Sequence, residues 1–260
     1  IKEMISDIQC MTRNNINSVR TCHYPDQIPW YYMCDEAGIY VMAETNLESH
    51  GSWQKLGAIE PSWNVPGSVL QWREAVVDRA RNNFETFKNH TSILFWSLGN
   101  ESYAGDDIEA MNKFFKEKKD GRLVHYEGSY YTREYEDTIS DVESRMYAKP
   151  EEVEKYLINS AKKPYLLCEF MHDMGNSIGG LGSYMKLIDK YEMYQGGYIW
   201  DFIDQALLVK DEVTGREVLR YGGDFDDRPS DYEFSGNGIV FADRREKPAM
   251  QEVRYYYGMY

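Results

Sequence analysis

The sequence predicts an α/β fold, a (β/α)8 TIM barrel whose first strand would precede residue 1. Three observations predict it. Strand-like and helix-like segments alternate along the chain, as in proteins built from parallel βα units. The 260 residues are enough for one large domain, and α/β barrels commonly have this size. Polar side chains follow every predicted strand, as expected where the strands of a parallel barrel end at one active-site face.

The first part of the chain contains two predicted strands. It opens in a helical pattern near 1–14, and the run INSVRT predicts a strand at 16–21. A helix near 26–37 leads to a second strand at 39–45 (IYVMAET). Glycine and proline around 51–67 then mark one long loop.

The third strand, at 93–97, follows a long helix at about 71–89. Ile93 to Trp96 are apolar and partly β-branched or aromatic, as in a strand covered on both faces, and Gly99 marks its end. The same alternation continues through helices near 105–119, 150–161 and 180–192 and strands at 123–127, 143–147, 165–170 and 197–201.

This interpretation gives seven strands on a chain that begins with a helix. An eight-stranded barrel has this count if one strand lies upstream, whereas a doubly wound sheet needs no further strand. Ile1 opens directly into the helical pattern without an initiator methionine. That start leaves room for an upstream signal or domain.

The composition narrows the partners and the compartment. Lys+Arg 29 against Asp+Glu 43 gives a formal net charge of −14, which disfavours nucleic acid and anionic membranes as partners because both would repel the chain. A neutral or cationic small molecule fits better. No stretch approaches the roughly 18 apolar residues of a membrane span. Four cysteines lie in apolar stretches and show no CxxC metal spacing: Cys10, Cys22, Cys34 and Cys168. This pattern favours free, buried thiols, which in turn favour a reducing, cytoplasmic compartment.

Polar residues gather at the ends of all seven predicted strands. In a parallel barrel these ends share one face, where barrel enzymes keep their active sites. One such end would be unremarkable as a solvated loop, but seven in succession indicate a site. The segments are RTCHYP (20–25), ETNLESHG (44–51), SLGNES (97–102), YEGS (126–129), MYAK (146–149), CEFMHDMGNS (168–177) and WDFIDQ (200–205).

Two carboxylates stand out among these ends. Glu101 and Glu169 each follow an apolar strand closely, so they could face each other across the barrel mouth. Glycoside hydrolysis needs such a pair, one acid to protonate the departing oxygen and one carboxylate to attack or to position water. Partial burial beside Cys168 would tune the pKa of Glu169. A structural salt bridge at a strand end is the alternative for either residue.

Six ordered motifs resemble the catalytic barrel of bacterial β-galactosidases of the lacZ type in glycoside hydrolase family 2. They are NNINSVRTCHYP, ETNLESHG, WSLGNES, LLCEFMHDMGNS, GGYIWDFIDQ and FSGNGIVFADR, and they run from about residue 5 to 253. The resemblance implies that 1–260 is the TIM-barrel catalytic domain of a larger multidomain enzyme. It further implies retaining hydrolysis of terminal β-D-galactose from lactose-like β-galactosides, and a homo-oligomeric parent enzyme is one possible assembly.

The resemblance also implies residue roles. Glu101 is the expected general acid/base, Glu169 the nucleophile of a double displacement, and Tyr147 the tyrosine that bonds the nucleophile. Asn100 is expected to hold the sugar 2-hydroxyl. Further substrate contacts are implied for His23, His172 and Asn237.

Two strand-end residues suit a sugar pocket on their own chemistry. Trp200 offers an apolar face for a pyranose ring, and Asp201 offers an acceptor beside it. The alternative for both is simple packing at the barrel mouth.

The segment NLESHG contains candidate metal ligands. Glu48 and His50 flank Ser49, so in an extended segment they project to the same side as one oxygen and one nitrogen ligand. Two ligands are too few for a closed site. The resemblance supplies Glu101 as the third and implies Mg²⁺ that keeps several waters.

The segment FSGNG resembles the part of the family barrel that binds Na⁺. The resemblance implies the backbone oxygen of Phe234 and the side chain of Asn237 as ligands. The remaining family ligand is an aspartate outside the barrel. The Na⁺ site is therefore expected to be incomplete in this chain.

Alternative activities stay open on the sequence alone. Family 2 β-glucuronidases and β-mannosidases share the paired glutamates, although ESHG and LGNES favour a galactosidase. A catalytically silent carbohydrate-binding barrel, or an inactive fragment, is the alternative from another class. Both glutamates are intact, which argues against a silent barrel.

Overall fold

The computed structural model describes residues 1–53, 64–159 and 161–260. Helices and strands alternate as predicted through most of the chain. The strands are β1 (Ser18–Arg20), β2 (Tyr40–Glu44), β3 (Ile93–Ser97), β4 (Leu123–His125), β5 (Glu143–Met146), β6 (Tyr165–Phe170), β7 (Tyr194–Ile199), β8 (Leu207–Lys210) and β9 (Glu217–Arg220). The helices are α1 (Lys2–Arg13), α2 (Ile28–Ala37), α3 (His50–Trp53), α4 (Leu70–Phe87), α5 (Asp106–Lys118), α6 (Pro150–Ile158), α7 (Leu181–Lys190) and α8 (Met250–Tyr257).

The first seven strands are parallel and follow one another around a barrel. Strands β1 to β4 form one hydrogen-bonded sheet in sequence order, and β5 to β7 form a second. Asp141 N donates to Val124 O at 2.8 Å, which joins the two sheets between β4 and β5. On the other side, Ser18 Oγ lies 2.9 Å from the Tyr198 hydroxyl and brings β1 to β7. Parallel order places all seven carboxyl ends on one face.

The barrel interior and the layer between strands and helices have separate apolar cores. The interior core consists of Met42, Val142, Leu166 and Cys168 together with Phe95, Met146 and Tyr198. All six residues of β6 are buried, as expected for a parallel strand that is covered on both faces. Alternate residues of the strands therefore supply the two cores.

The seventh strand lies earlier than predicted. The prediction was 197–201, whereas β7 runs over Tyr194–Ile199. Its two central glycines lower the strand propensity of the segment, so the pattern concealed the true start. Packing explains Gly197: a Cβ there would lie 2.9 Å from Leu167 Cβ on β6, so the close approach of the two strands excludes a side chain.

Four elements of the described residues were not predicted, namely β8, β9, α3 and α8. Strands β8 and β9 pair as an antiparallel hairpin with Leu207 opposite Arg220, and α8 packs after the last motif. The short helix α3 occupies the beginning of the predicted long loop at 51–67, of which residues 54–63 lie outside the described residues. No helix in the described ranges is long and apolar enough to cross a membrane.

Candidate active site

The Arg20 side chain, called the hub below, forms hydrogen bonds to residues at the ends of several strands. From the end of β1, its Nε and Nη2 donate to the two carboxylate oxygens of Glu44 at 2.7 and 2.9 Å. Nη1 donates to Glu169 Oε1 at 2.7 Å, and Nη2 also donates to Asn100 Oδ1 at 2.7 Å. One guanidinium therefore ties the carboxyl ends of β1, β2 and β6 and the segment after β3 into one cluster.

This cluster is desolvated and charged. The Arg20 and Glu44 side chains are 2% and 0% exposed. Burial alone would raise the pKa of Glu44, but the Arg20 guanidinium and the His23 hydrogen bond outweigh it and hold that pKa below its usual range. A buried pair is stable only when its remaining polar atoms are satisfied. The partners described above meet that requirement for the Arg20 fork.

Glu169 is held by donors on both carboxylate oxygens. Arg20 occupies Oε1, and the Tyr147 hydroxyl donates to Oε2 at 2.7 Å. The Glu169 side chain is 7% exposed. Burial and the charge of Glu169 raise the pKa of Tyr147, so its hydroxyl remains a donor. Two directed, partly charge-assisted hydrogen bonds fix the orientation of this carboxylate.

Glu101 has different surroundings. Its side chain is 22% exposed, and His50 Nδ1 lies 3.0 Å from its Oε2. Burial raises the pKa of Glu101, which favours the protonated acid. Its backbone has a φ of 39°, a conformation that non-glycine residues adopt at a cost. The Glu101 amide donates to Glu127 Oε1 at 2.7 Å, and this bond helps to hold that conformation.

Glu48, His50 and Glu101 come together as predicted for a metal site. One ligand atom from each lies within 4.8 Å of the other two. Asn100 Nδ2 donates to Glu48 Oε2 at 2.7 Å, which orients that carboxylate from behind. Two carboxylates and one imidazole, partly exposed to water, suit a hard divalent ion that retains several waters. The donor set therefore fits Mg²⁺.

A second group of possible ligands, His125, Glu127 and Cys168, lies buried below the mouth. The two ring nitrogens of His125 lie 3.0 Å from Ser97 Oγ and 2.8 Å from Ser144 Oγ. Burial lowers the pKa of His125 to about 3, so the ring is neutral. Because serine hydroxyls satisfy both nitrogens, we assign His125 to the structural core.

The predicted sugar-contacting residues line the same mouth. His23 Nε2 lies 4.0 Å from Glu169 Oε1, and the His23 ring stacks on Trp200 with centroids 5.1 Å apart. The His172 ring lies 5.8 Å from that of Tyr147. Burial and the neighbouring Asp204 raise the pKa of Asp201 to about 7. Within the described part of the chain, Asp201 Oδ1 is buried without a hydrogen-bond partner, as an acceptor meant for a ligand would be.

Phe234 and Asn237 lie next to each other, as a shared Na⁺ site would require, but they are joined by a hydrogen bond. Asn237 Nδ2 donates to the backbone oxygen of Phe234. Asn237 Oδ1 is buried and has no partner among the described residues. Sharing an ion with Phe234 O would require the amide to turn so that Oδ1 replaces Nδ2. In this orientation the two residues do not present two oxygens to one Na⁺ ion, so they do not fit it.

Three side chains of the candidate site were missed by sequence reasoning. Arg20 and Glu44 stand at the start of RTCHYP and ETNLESHG, and Glu127 stands in YEGS, so the strand-end pattern contained all three. No role followed from the pattern because their partners are distant in sequence. Glu169, for example, is 149 residues from Arg20.

The family is decided by comparison with known proteins. The model of glycosyl hydrolases family 2, TIM barrel domain, matches residues 1–260. The chain belongs to this family. The fold prediction is thereby confirmed, and solved structures agree: a Faecalibacterium prausnitzii β-glucuronidase has a TM-score of 0.66 at 20% identity, covering 99% of this chain and 45% of its own. A Ruminococcus gnavus β-glucuronidase has a TM-score of 0.65 at 16% identity, covering 100% and 48%. At such identity they support the fold alone.

Sequence relatives are much closer. The β-galactosidase large subunit of Lactobacillus helveticus is 70% identical over 260 residues, which are 100% of this chain and 41% of the relative. The large subunit from Leuconostoc lactis is 70% identical over 258 residues, which are 99% of this chain and 41% of the relative. A β-galactosidase of Halalkalibacterium halodurans is 59% identical over 256 residues, which are 98% of this chain and 25% of the relative. The family 2 chain thus spans at most about two fifths of these relatives.

Proposed function

We propose that residues 1–260 are the catalytic barrel domain of a larger retaining β-galactosidase, with Glu169 as nucleophile and Glu101 as general acid/base. The observation that carries the proposal is the contrast between the two glutamates at one mouth. Arg20 and Tyr147 orient Glu169 through both oxygens, whereas burial raises the pKa of Glu101. Environments that differ in this way separate a nucleophile from a proton donor. The names of the closely similar relatives support galactose as the sugar.

The two glutamates would perform a double displacement. Glu169 attacks the anomeric carbon, the bond to the leaving oxygen breaks, and the Glu101 proton passes to that oxygen. The Glu101 carboxylate then takes a proton from water, whose oxygen attacks the anomeric carbon from the opposite face and releases Glu169. Two inversions give net retention. This mechanism requires carboxyl groups roughly 5–5.5 Å apart, against about 6.5–9.5 Å for inversion.

Other side chains at the mouth would bind the galactose. We assign Asn100 to the sugar 2-hydroxyl, His23 and His172 to further hydroxyls, and Trp200 to the apolar face of the ring. Asp201 and Asn237 supply the buried oxygens described above. These oxygens are already desolvated, so a hydrogen bond from a sugar hydroxyl would satisfy them without a further desolvation cost to the protein.

A panel of nitrophenyl glycosides tests the proposal on the full-length enzyme. We expect kcat/KM on the β-galactoside to exceed that on the β-glucuronide and the β-mannoside by at least about 100-fold. Dominant turnover of another glycoside would replace galactose with that sugar. Sugar binding without any turnover would favour the silent barrel.

Replacing Glu101 by glutamine should produce a defect that depends on the leaving group. Dinitrophenolate needs little protonation, so we expect a much smaller loss of glycosyl-enzyme formation on its galactoside than on lactose, where general acid catalysis contributes about 10²–10⁴-fold. Burst kinetics on both substrates measures this. Equal losses would contradict the acid role.

Glu101 should also set the alkaline limit of the pH profile. The acid must be protonated in the free enzyme, so kcat/KM is present below the pKa of Glu101 and falls as the pH rises through it. In enzyme freed of Mg²⁺, burial raises this pKa, so the loss should occur there at higher pH than for an ordinary glutamate. In Glu101→Gln this limb should disappear, and its persistence would assign it to another group.

Glu48, His50 and Glu101 would hold Mg²⁺. When bound, the ion supplies positive charge that orients the Glu101 carboxyl and lowers its pKa. Removal by a chelator should therefore resemble a mild Glu101 defect, larger on lactose than on the dinitrophenyl galactoside. Readdition of Mg²⁺ should restore the rate. In Glu48→Gln, the Mg²⁺ concentration for half-maximal activity should rise about 10–100-fold, since it removes a charged ligand.

Glu127 should position Glu101 through the backbone. Glu127→Ala removes the acceptor of the Glu101 amide and should lower kcat about 10²-fold, because small displacements of a catalytic group have effects of this order. Glu127→Gln retains a carbonyl acceptor and should keep most of the activity. If both variants lower kcat equally, the 2.7 Å hydrogen bond from the Glu101 amide to Glu127 does not account for the role of Glu127.

The whole protein should have a second subunit. The most similar relatives cited above are named large subunits, which implies a smaller partner. We propose that the protein containing this chain also assembles with a smaller polypeptide rather than only with copies of itself. Native mass measurement of the purified enzyme tests this, and a stable homo-oligomer with full activity would contradict it.

A further inference from the structure

A buried ion pair between Lys247 and Asp204 has no role in the mechanism above. Lys247 Nζ donates to Asp204 Oδ1 at 2.8 Å, and the two side chains are 1% and 14% exposed. A lysine is rarely buried to this extent unless it is paired. The ammonium group is therefore withdrawn from water and directed at one carboxylate.

The Asp204 carboxylate links two segments that carry proposed sugar contacts. Its Oδ1 also accepts the Gly238 amide at 2.8 Å. Asp204 lies three residues after Asp201, and Gly238 directly follows Asn237. Asp201 N donates to Asn237 O at 2.9 Å, so the backbones of the two segments are paired as well. They approach so closely that a Cβ on Gly238 would clash with the Asp204 amide nitrogen.

Lys247 is itself fixed to the second of these segments. Its amide donates to Ile239 O at 3.1 Å, and the neighbouring Glu246 forms an antiparallel bridge with Val240. The Phe241 ring lies 5.4 Å from the ammonium nitrogen. Because the backbone and the side chain of Lys247 are both held, Asp204 has a partner in a defined position.

Stability alone does not account for a lysine at this position. Replacing a buried ion pair by apolar residues of similar volume is often neutral or stabilising, because the desolvation of two charges can exceed their attraction. What the pair supplies is direction. One oxygen of Asp204 receives both Lys247 Nζ and Gly238 N, which fixes the carboxylate against the segment that carries Asn237.

The same pair acts on the two acceptors proposed to bind the sugar. Asp201 Oδ1 and Asn237 Oδ1 are buried without hydrogen-bond partners among the described residues. Burial and the Asp204 charge raise the pKa of Asp201, and the Lys247 charge opposes them. Lys247 therefore lies within electrostatic range of Asp201, and it reaches the neighbour of Asn237 through Asp204.

We propose that Lys247 is a positioning residue for galactose, which acts through Asp204 to hold Asp201 and Asn237 at the separation that the sugar hydroxyls require. The inference rests on the proposed galactosidase function and on the sugar contacts assigned there. Neither member of the pair needs to touch the sugar. Its loss should therefore weaken sugar binding while it leaves the bond-breaking steps at the two glutamates largely intact.

The test measures sugar binding as the inhibition constant of galactose on the full-length enzyme. Lys247→Met should raise this constant about three- to tenfold, the scale of one weakened hydrogen bond. The kcat on nitrophenyl β-galactoside should stay within about threefold of wild type, as expected when binding alone is lost.

A set of galactoses that each lack one hydroxyl tests the route of the effect. For a galactose without the hydroxyl that bonds Asp201 or Asn237, the ratio of variant to wild-type inhibition constants should fall to about one, because the contact that Lys247 positions is already absent. The other members of the set should keep the full ratio. An equal ratio for every member would overturn the positioning role, since general loosening does not depend on one hydroxyl.

A double variant separates positioning from stability. Lys247→Met should lower Tm because it leaves Asp204 without its cation, and adding Asp204→Asn should recover part of that loss by removing the unpaired charge. The weaker galactose binding should persist, because Lys247 no longer orients the neutral amide. Recovery of galactose binding together with Tm would overturn the proposal.

The matched control is Arg244→Met, which breaks the ion pair with Asp7 three residues earlier in the chain. It should leave the inhibition constant of galactose unchanged, and a rise equal to that in Lys247→Met would overturn the specific role of Lys247. Failure of the galactosidase function is a different result: the wild-type enzyme would then release no nitrophenol from the β-galactoside, before any variant is compared.

Discussion

Replacing Glu169 by glutamine should lower kcat/KM on every β-galactoside by on the order of 10⁴-fold or more, the scale seen when a covalent nucleophile is removed. Glutamine keeps the size of the side chain and can still accept from Arg20. It cannot form the glycosyl ester, so the loss should not depend on the leaving group. Steady-state rates on lactose and on the dinitrophenyl galactoside measure this.

An added nucleophile distinguishes the two glutamates. In Glu169→Gly, azide can enter the space left by the side chain and attack with one inversion, which gives an α-galactosyl azide. In Glu101→Gly, azide intercepts the intermediate on Glu169, and two inversions give the β product. The opposite assignment of products would exchange the roles of the two residues. Rescue also shows that the variants are folded.

Replacing Arg20 by methionine should have the largest effect on stability. The change leaves Glu44 and Glu169 buried without their common cation, and breaking a buried pair costs about 3–5 kcal/mol. For a protein of this size each kcal/mol corresponds to about 2–4 °C in Tm. We expect denaturant unfolding and Tm to show the loss, with activity on all galactosides reduced in the same variant because Glu169 loses a donor.

Two further variants control this experiment. Arg244→Met breaks the more exposed pair with Asp7 and should cost less than about 1 kcal/mol. In a double variant, Glu44→Gln should recover part of the stability lost in Arg20→Met, because it removes one unpaired charge. An Arg20→Met protein within about 1 kcal/mol of wild type would show that the hub is not a stabilising centre.

The Arg20–Glu44 contribution should also depend on pH. Folding lowers the pKa of Glu44 below its ordinary value, so the stabilisation is complete above the unfolded pKa and is lost as the pH falls through the folded one. In Arg20→Met this acid dependence should diminish. Unfolding measured across the acidic range tests the sign.

The parts of the fold that the sequence predicted are those with a local signal. The prediction of strand 93–97 matched the structure, because a short apolar run that ends near Gly99 is typical of a buried strand in a parallel sheet. The start of strand 197–201 was misplaced because Gly196 and Gly197 lower the strand propensity of the segment. The close contact of Gly197 with Leu167 on β6, which favours glycine there, is not visible in a local pattern. The hairpin of β8 and β9 lies outside the βα alternation and was overlooked.

By itself the sequence determined the family, the parallel barrel and the set of polar strand ends, because alternating periodicity places those ends on one face wherever the strands pair. The tertiary structure alone decided which of these side chains act together. Arg20 reaches Glu44, Asn100 and Glu169 across three strands, and Glu127 reaches the Glu101 amide from the segment after β4. Such pairings depend on strand register and burial, because a buried charged group needs a partner within hydrogen-bond distance, about 3 Å. Spacing along the chain does not determine which residues come that close in space.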